Sequence, residues 1–129
     1  MPPVADHMTR EVLTITPDAT LGEAAAKMTE RAVGAVIVLE GGAVAAILTE
    51  RDVMKAVGAG QDGSATVADW MTRHPDTIEP GDTTDHAASL MIHGGFRHLP
   101  VVEETRLVGI LSIRDLMRLA LDDRSPRGV

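Results

Sequence analysis

The chain has 129 residues, a formal net charge of −7, 44% hydrophobic and 24% charged residues, no cysteine, one Trp and one Phe. That length holds one ordinary domain or two very small units, and the balance of apolar and charged residues is that of a globular chain. The missing cysteines exclude a disulfide scaffold, a thiol nucleophile and any cysteine-ligated metal site, while the acidity and the scarcity of aromatics argue against nucleic acid as a partner.

The start, Met1-Pro2-Pro3-Val4-Ala5-Asp6, has neither a basic n-region nor an apolar h-region, so no secretory signal is expected. A short amphipathic segment runs from Val4 to Met8. An extended stretch should end at Pro17, because the residue before a proline is pushed out of the helical region. A helix follows, in which Thr20 caps, Glu23 closes a capping box and Leu21, Ala24, Ala25 and Met28 form an apolar stripe. Ala35 to Leu39 and Ala43 to Leu48 flank Glu40-Gly41-Gly42, a tight-hairpin signal. The longest mostly apolar stretch, Ala32 to Leu48, is broken by Gly34, Glu40, Gly41 and Gly42, so no membrane span is expected. Thr49 then opens a second helix with Val53, Met54 and Val57 expected inward, and Gly58-Ala59-Gly60 ends it.

The order then repeats. Val67-Ala68-Asp69-Trp70-Met71-Thr72-Arg73 restates Val4-Ala5-Asp6-His7-Met8-Thr9-Arg10 at an offset of 63, and 20 of the 54 positions from Val4 to Val57 are identical to those 63 residues on, without a gap. Thr66 is the expected N-cap of this short segment, with Asp69 three residues on. An extended stretch ends at Pro80, and Thr83 caps a helix bearing Ala87, Ala88 and Met91, with His86 in place of the box glutamate. Leu99 to Val102 and Leu107 to Leu111 flank Glu103-Glu104-Thr105-Arg106. Ser112 opens the last helix, with Leu116, Met117 and Ala120 expected inward, and Asp122 to Val129 reads as a frayed tail.

The chain is therefore a tandem duplication, with residues 1–61 as the first repeat, 62–123 as the second and 124–129 as a flexible tail. Each copy reads strand–helix–strand–strand–helix, an α/β (α+β) pattern. Neither copy is large enough to bury a core alone, so the two are expected to pack together about a pseudo-twofold axis. Val, Ile, Leu, Met and Ala must fill that core, and Phe96 is expected at a cleft. Met28, Met54, Met91 and Met117 match pairwise between copies and suit core or dimer-interface filling.

Each copy opens with Met-Thr-Arg, carries Thr-Ile-x-Pro before its first helix and closes with Ile-Leu-[Ser/Thr]-x-Arg-Asp; Phe96-Arg97-His98-Leu99-Pro100-Val101-Val102 adds one more string. This ordered set resembles a pair of cystathionine-β-synthase (CBS) domains, the arrangement called a Bateman module. The resemblance covers Val4 to Leu121 and is that of a stand-alone CBS-pair protein. It implies an adenine nucleotide, or a related adenosyl ligand, in clefts between the two repeats, and dimerisation into flat discs.

The sharpest site candidates are Thr49 with Asp52 and Ser112 with Asp115. A hydroxyl followed three residues later by an acid at a helix start is a capping box, which contributes about 1 kcal/mol. The same geometry suits a ligand: a helix N-terminus attracts phosphate, and the carboxylate accepts from the two hydroxyls of a ribose. The two roles are compatible, and the resemblance implies the ribose contact. It further implies that adenine is enclosed by Thr9, Arg10 and Glu11 or Thr72, Arg73 and His74, together with Val33-Gly34-Ala35 and Phe96-Arg97-His98. One expected cleft combines Ser112, Asp115, Ile110 and Arg97 with Val33, Gly34 and Ala35. Its counterpart combines Thr49, Asp52 and Ile47 with Phe96, His98 and the approach at Arg73-His74. Arg97 and His98 supply basic groups where the first repeat has Gly34 and Ala35, so the clefts are inequivalent.

Among the five histidines, His86 and His93 share a helix and His74 lies nearby, but no close ligand cluster exists and zinc needs three or four converging ligands. No nucleophile elbow, P-loop lysine or dinucleotide fingerprint is present, so catalysis is not expected. The expectation is a cytoplasmic, non-catalytic regulatory module that binds AMP, ADP or ATP, needs no cofactor, forms a homodimer and signals to a regulated protein. The rival is an interaction scaffold with vestigial clefts.

Overall fold

The computed structural model describes residues 2–124. Two compact units divide the chain: one holds Val12–Pro75, and the other joins the start, up to Glu11, to everything from Asp76 on. The first unit is a four-stranded sheet, β1 (Thr14–Ile15), β2 (Ala35–Glu40), β3 (Ala43–Thr49) and β4 (Thr72–Arg73), in that order, with α1 (Leu21–Arg31), α2 (Glu50–Gly58) and α3 (Val67–Trp70). β1 pairs parallel to β2, and the other pairings are antiparallel.

Local chemistry explains these elements. Gly41 and Gly42 have φ of 61° and 83°, the two positive angles that a two-residue hairpin turn with the natural twist demands. That turn sets the register in which Ala35 meets Thr49. At the start of α1, Glu23 N donates to Thr20 Oγ1 at 3.1 Å and Thr20 N donates to Glu23 Oε1 at 3.3 Å, so the expected capping box forms in full. Leu21, Ala24 and Met28 lie buried against Val36, Val38, Ala46 and Leu48, joined by Ala56 and Val67. No aromatic belongs to this buried core.

The second unit repeats the plan with α4 (Thr84–Gly94), β5 (His98–Glu103), β6 (Arg106–Ser112) and α5 (Ile113–Arg124). His98 meets Ser112 as Ala35 meets Thr49, and the register shift between Val38 and Leu39 recurs between Val101 and Val102. The outer strands shrink to single bridges, Ile78 with Val101 in parallel and Thr9 with Ile110 in antiparallel fashion. Thr84 N donates to Pro2 O and Val4 N to Asp82 O at 2.8 Å, and Val4 is fully buried beside Leu99, Val101 and Leu111. The segment that opens each sequence copy thus completes the compact unit built from the other copy. The boundaries of the duplication and of the compact units differ by this exchange.

Several expectations need correction. Thr66 makes no side-chain cap bond at α3; its carbonyl instead accepts from Asp69 N at 3.2 Å. Met54 and Met117 are 67% and 58% exposed, Val57 and Ala120 are exposed as well, and only Met28 and Met91 of the matched methionines are core residues. Phe96 is half-buried and packs against the second unit's core, its ring lying where a Cβ on Gly94 would fall. Asp122 to Arg124 continue α5, and the rest of the expected tail, 125–129, lies outside the described residues.

Gly109 on β6 tests the docking of the chain start. A Cβ there would lie 2.6 Å from Met8 Sδ and 3.0 Å from Thr9 O, whereas a Cβ on Gly81 would meet nothing within 4 Å. Gly109→Val is expected to lower unfolding stability by about 1–3 kcal/mol, with Gly81→Ala within about 0.5 kcal/mol of the parent. Equal denaturant midpoints for the two variants would contradict this packing.

Candidate functional site

Each hairpin ends directly at the start of a helix, and the two junctions carry the candidate residues. At the first, Thr49 is the N-cap of α2 in extended geometry, and its hydroxyl accepts from Asp52 N at 3.3 Å. Asp52 Oδ2 accepts from Thr49 N at 2.9 Å and from Thr49 Oγ1 at 3.2 Å. Its other oxygen, Oδ1, accepts from Thr72 Oγ1 at 3.2 Å. Thr72 arrives because β4 pairs with β3 at Ile47, two residues before the cap on the same strand. Asp52 is only 6% exposed, and a carboxylate buried that deeply needs such donors.

The second junction has the same skeleton. Ser112 N and Ser112 Oγ donate to Asp115 Oδ2 at 2.8 and 3.0 Å, and Asp115 N donates to Ser112 Oγ at 3.2 Å. Thr9 pairs with Ile110 on β6, yet among the described residues it forms no hydrogen bond with Asp115. Oδ1 of Asp115 instead lies 3.6 Å from the Arg118 guanidinium, a side chain that is 67% exposed.

The amides at the two helix starts are largely engaged. Glu50 N donates to Gly34 O at 3.0 Å and Ile113 N to Arg97 O at 2.8 Å, while the amides of Asp52 and Asp115 go to the cap hydroxyls. The caps therefore engage most of these amides, and the groups best placed for a ligand are the carboxylates and the side chains around them. Those surroundings differ. The Glu50 carboxylate occupies the space beside Gly34, with Oε1 3.1 Å from where a Cβ would stand. The equivalent pair in the other unit is Arg97, exposed, and Ile113.

Of the first expected cleft, Arg97, Ile110, Ser112 and Asp115 belong to one unit and Val33, Gly34 and Ala35 to the other. Of the second, Ile47, Thr49, Asp52, Arg73 and His74 share a unit, and Phe96 and His98 belong to the other. Thr9 and Arg10 fall with Asp115. Arg10 turns its guanidinium to Ala5 O at 3.4 Å. His74 takes the left-handed conformation at φ 52°, and its amide reaches Ala45 O at 3.3 Å. His93 Nδ1 bonds its own helix at Ser89 O, 2.8 Å away, and among the described residues no three His, Asp or Glu converge as metal ligands.

A family model for the CBS domain matches the chain twice, over residues 4–59 and 67–122. The chain belongs to the CBS-domain family. A CBS domain-containing protein, YhcV of Bacillus subtilis, is 36% identical over 117 residues, covering 90% of this chain and 84% of the relative. A solved CBS-domain containing protein of Agrobacterium tumefaciens is 39% identical with a TM-score of 0.86, covering 92% of this chain and 99% of the other. The CBS domain pair of protein MJ0100, solved in complex with 5′-methylthioadenosine and S-adenosyl-L-methionine, aligns with a TM-score of 0.90 at 25% identity, over 95% of this chain and 98% of that one.

Within this CBS pair, Glu50 and Arg118 are the residues near the junctions that sequence reasoning overlooked. Glu50 was legible in principle, since position 34 is a glycine and position 50 an acid where the second copy has Arg97 and Ile113. Arg118 had no distinct signal, because an arginine three residues after an aspartate is commonplace on a helix surface.

Proposed function

We propose that this CBS pair is a non-catalytic regulatory module that binds an adenine nucleotide, AMP, ADP or ATP, through a carboxylate fixed at the start of α2 or α5. The supporting observation is the pair of hairpin–helix junctions, each of which holds an aspartate rigidly through its own N-cap residue. A ribose offers two vicinal hydroxyls as donors, and hydrogen bonds to an ionised acceptor are about twice as strong as neutral ones. The adenosyl compounds bound by the MJ0100 pair support the same ligand class. Because the chain carries a net charge of −7, phosphate must be met by local donors, and Arg97 and His98 are the proposed ones. Ligand binding to one arrangement of the chain more tightly than to another shifts the population, and a partner protein in the cytoplasm reads the change.

Thermal unfolding with millimolar AMP, ADP, ATP or S-adenosylmethionine tests this reading. At least one of them is expected to raise the midpoint, since a ligand at 100 times its Kd adds about 2.7 kcal/mol to the folded state. A cooperative transition that none of them moves would contradict nucleotide binding and leave an interaction scaffold.

A homodimer belongs to the same proposal. Met54 and Val57 on α2 and Met117 and Leu121 on α5 are large exposed apolar side chains, spaced to lie on one face of each helix. A second copy covering them removes that surface from water. Sedimentation is expected to give twice the 13.7 kDa chain mass, and the double variant Met54→Glu, Met117→Glu is expected to sediment as a single chain. A monomeric parent protein would contradict the dimer.

A further inference from the structure

The two junctions share a skeleton but differ in what remains open on the carboxylate. We propose that the chain binds one phosphorylated ribonucleoside, on Ser112 and Asp115, and that Thr72 and Glu50 close the equivalent carboxylate of Asp52 to it. This rests on the reading that these carboxylates receive ribose hydroxyls.

A carboxylate has two oxygens and about four acceptor sites. At Asp52, Oδ2 is taken by Thr49 N and Thr49 Oγ1, and Oδ1 by Thr72 Oγ1, which also lies 3.4 Å from Oδ2. A diol arriving there must expel a hydroxyl held by the neighbouring strand. At Asp115 the cap occupies Oδ2 in the same way. The Asp115 side chain is almost as buried as that of Asp52, at 10% exposure, but among the described residues Oδ1 meets only Arg118, at 3.6 Å on an exposed side chain. An ion pair of that kind is worth little, so Arg118 is free to swing aside, or to follow the ligand's phosphate.

Charge points the same way. The carboxylate of Glu50, the first residue of α2, lies against Gly34, and a phosphate approaching the α2 start meets Glu50 and Asp52 on either side of Arg51. At the α5 start, Ile113 replaces Glu50 and Arg97 replaces Gly34, while Arg114 and Arg118 match Arg51 and Lys55 of the first copy, so this start has one acid fewer and one base more. Like charges in a partly desolvated place repel strongly, so a phosphorylated ligand discriminates between the two. A ribonucleoside without phosphate keeps only the Thr72 half of this discrimination.

Calorimetric titration of the full chain with AMP tests the proposal. One AMP per chain is expected for the parent protein. Asp115→Asn, which keeps the acceptor for Ser112 N, is expected to weaken binding about tenfold or more, and Asp52→Asn to leave Kd within about threefold. Thr72→Val combined with Glu50→Gln, which removes both closing groups and keeps side chains of similar shape, is expected to add a second binding event. Two equivalents on the parent, binding lost in Asp52→Asn but kept in Asp115→Asn, or a Thr72→Val, Glu50→Gln protein that still takes one equivalent would each overturn it. If the parent takes up no AMP although its melting is cooperative, the underlying nucleotide reading falls as well. Circular dichroism melts of each variant confirm that it is folded.

Discussion

An antiparallel pairing on the outer edge of each hairpin holds the two units in their working form. Thr72 on Ile47, and Thr9 on Ile110, cover the exposed edge of β3 and β6, which would otherwise present unpaired backbone groups. The same short segments carry Val67 and Val4, both fully buried, and burying a valine side chain contributes roughly 1.5–3 kcal/mol. Removing the pairing would leave each core short of one wall. It also brings Thr72, 20 residues away in sequence, to Asp52. Fold and candidate site therefore depend on one contact.

The duplication has kept its backbone and diverged in its side chains. Register, the hairpin bulge and the hydroxyl–carboxylate bonds at the helix start recur at a constant offset of 63. The groups around them do not: Gly34 and Glu50 stand where the other copy has Arg97 and Ile113. Because the cap bonds already satisfy most helix-start amides, ligand chemistry at either junction is left to the outward carboxylate oxygen and its neighbours. Small differences in those neighbours then decide which junction is available.

Much of this was legible in the residues. Gly41-Gly42 dictated the hairpin and its register, and Thr20 with Glu23 and Thr49 with Asp52 announced the helix starts through short-range chemistry. The inward faces of α2 and α5 differ from those the residues suggest, since both helices are apolar on more than one side. The buried aspartate fixes the helix phase: Asp52 and Ala56, four residues apart, turn inward, which swings Met54 and Val57 outward. Thr66 shows the converse, a capping sequence whose hydroxyl makes no cap bond. The exchange of the opening segments was invisible, because both copies carry the same string and nothing in it names the sheet on which it docks. The Thr72–Asp52 bond was hidden for the same reason.

The central claim is that Asp115, and not Asp52, is the carboxylate open to a nucleotide. Amide NMR during an AMP titration reads both junctions in one sample. The account predicts progressive, saturable shifts at Ser112, Ile113, Arg114 and Asp115 with Thr49, Glu50 and Asp52 nearly unmoved. Saturable shifts at Thr49 to Asp52 with Ser112 to Asp115 unmoved, or equal shifts at both, would contradict it.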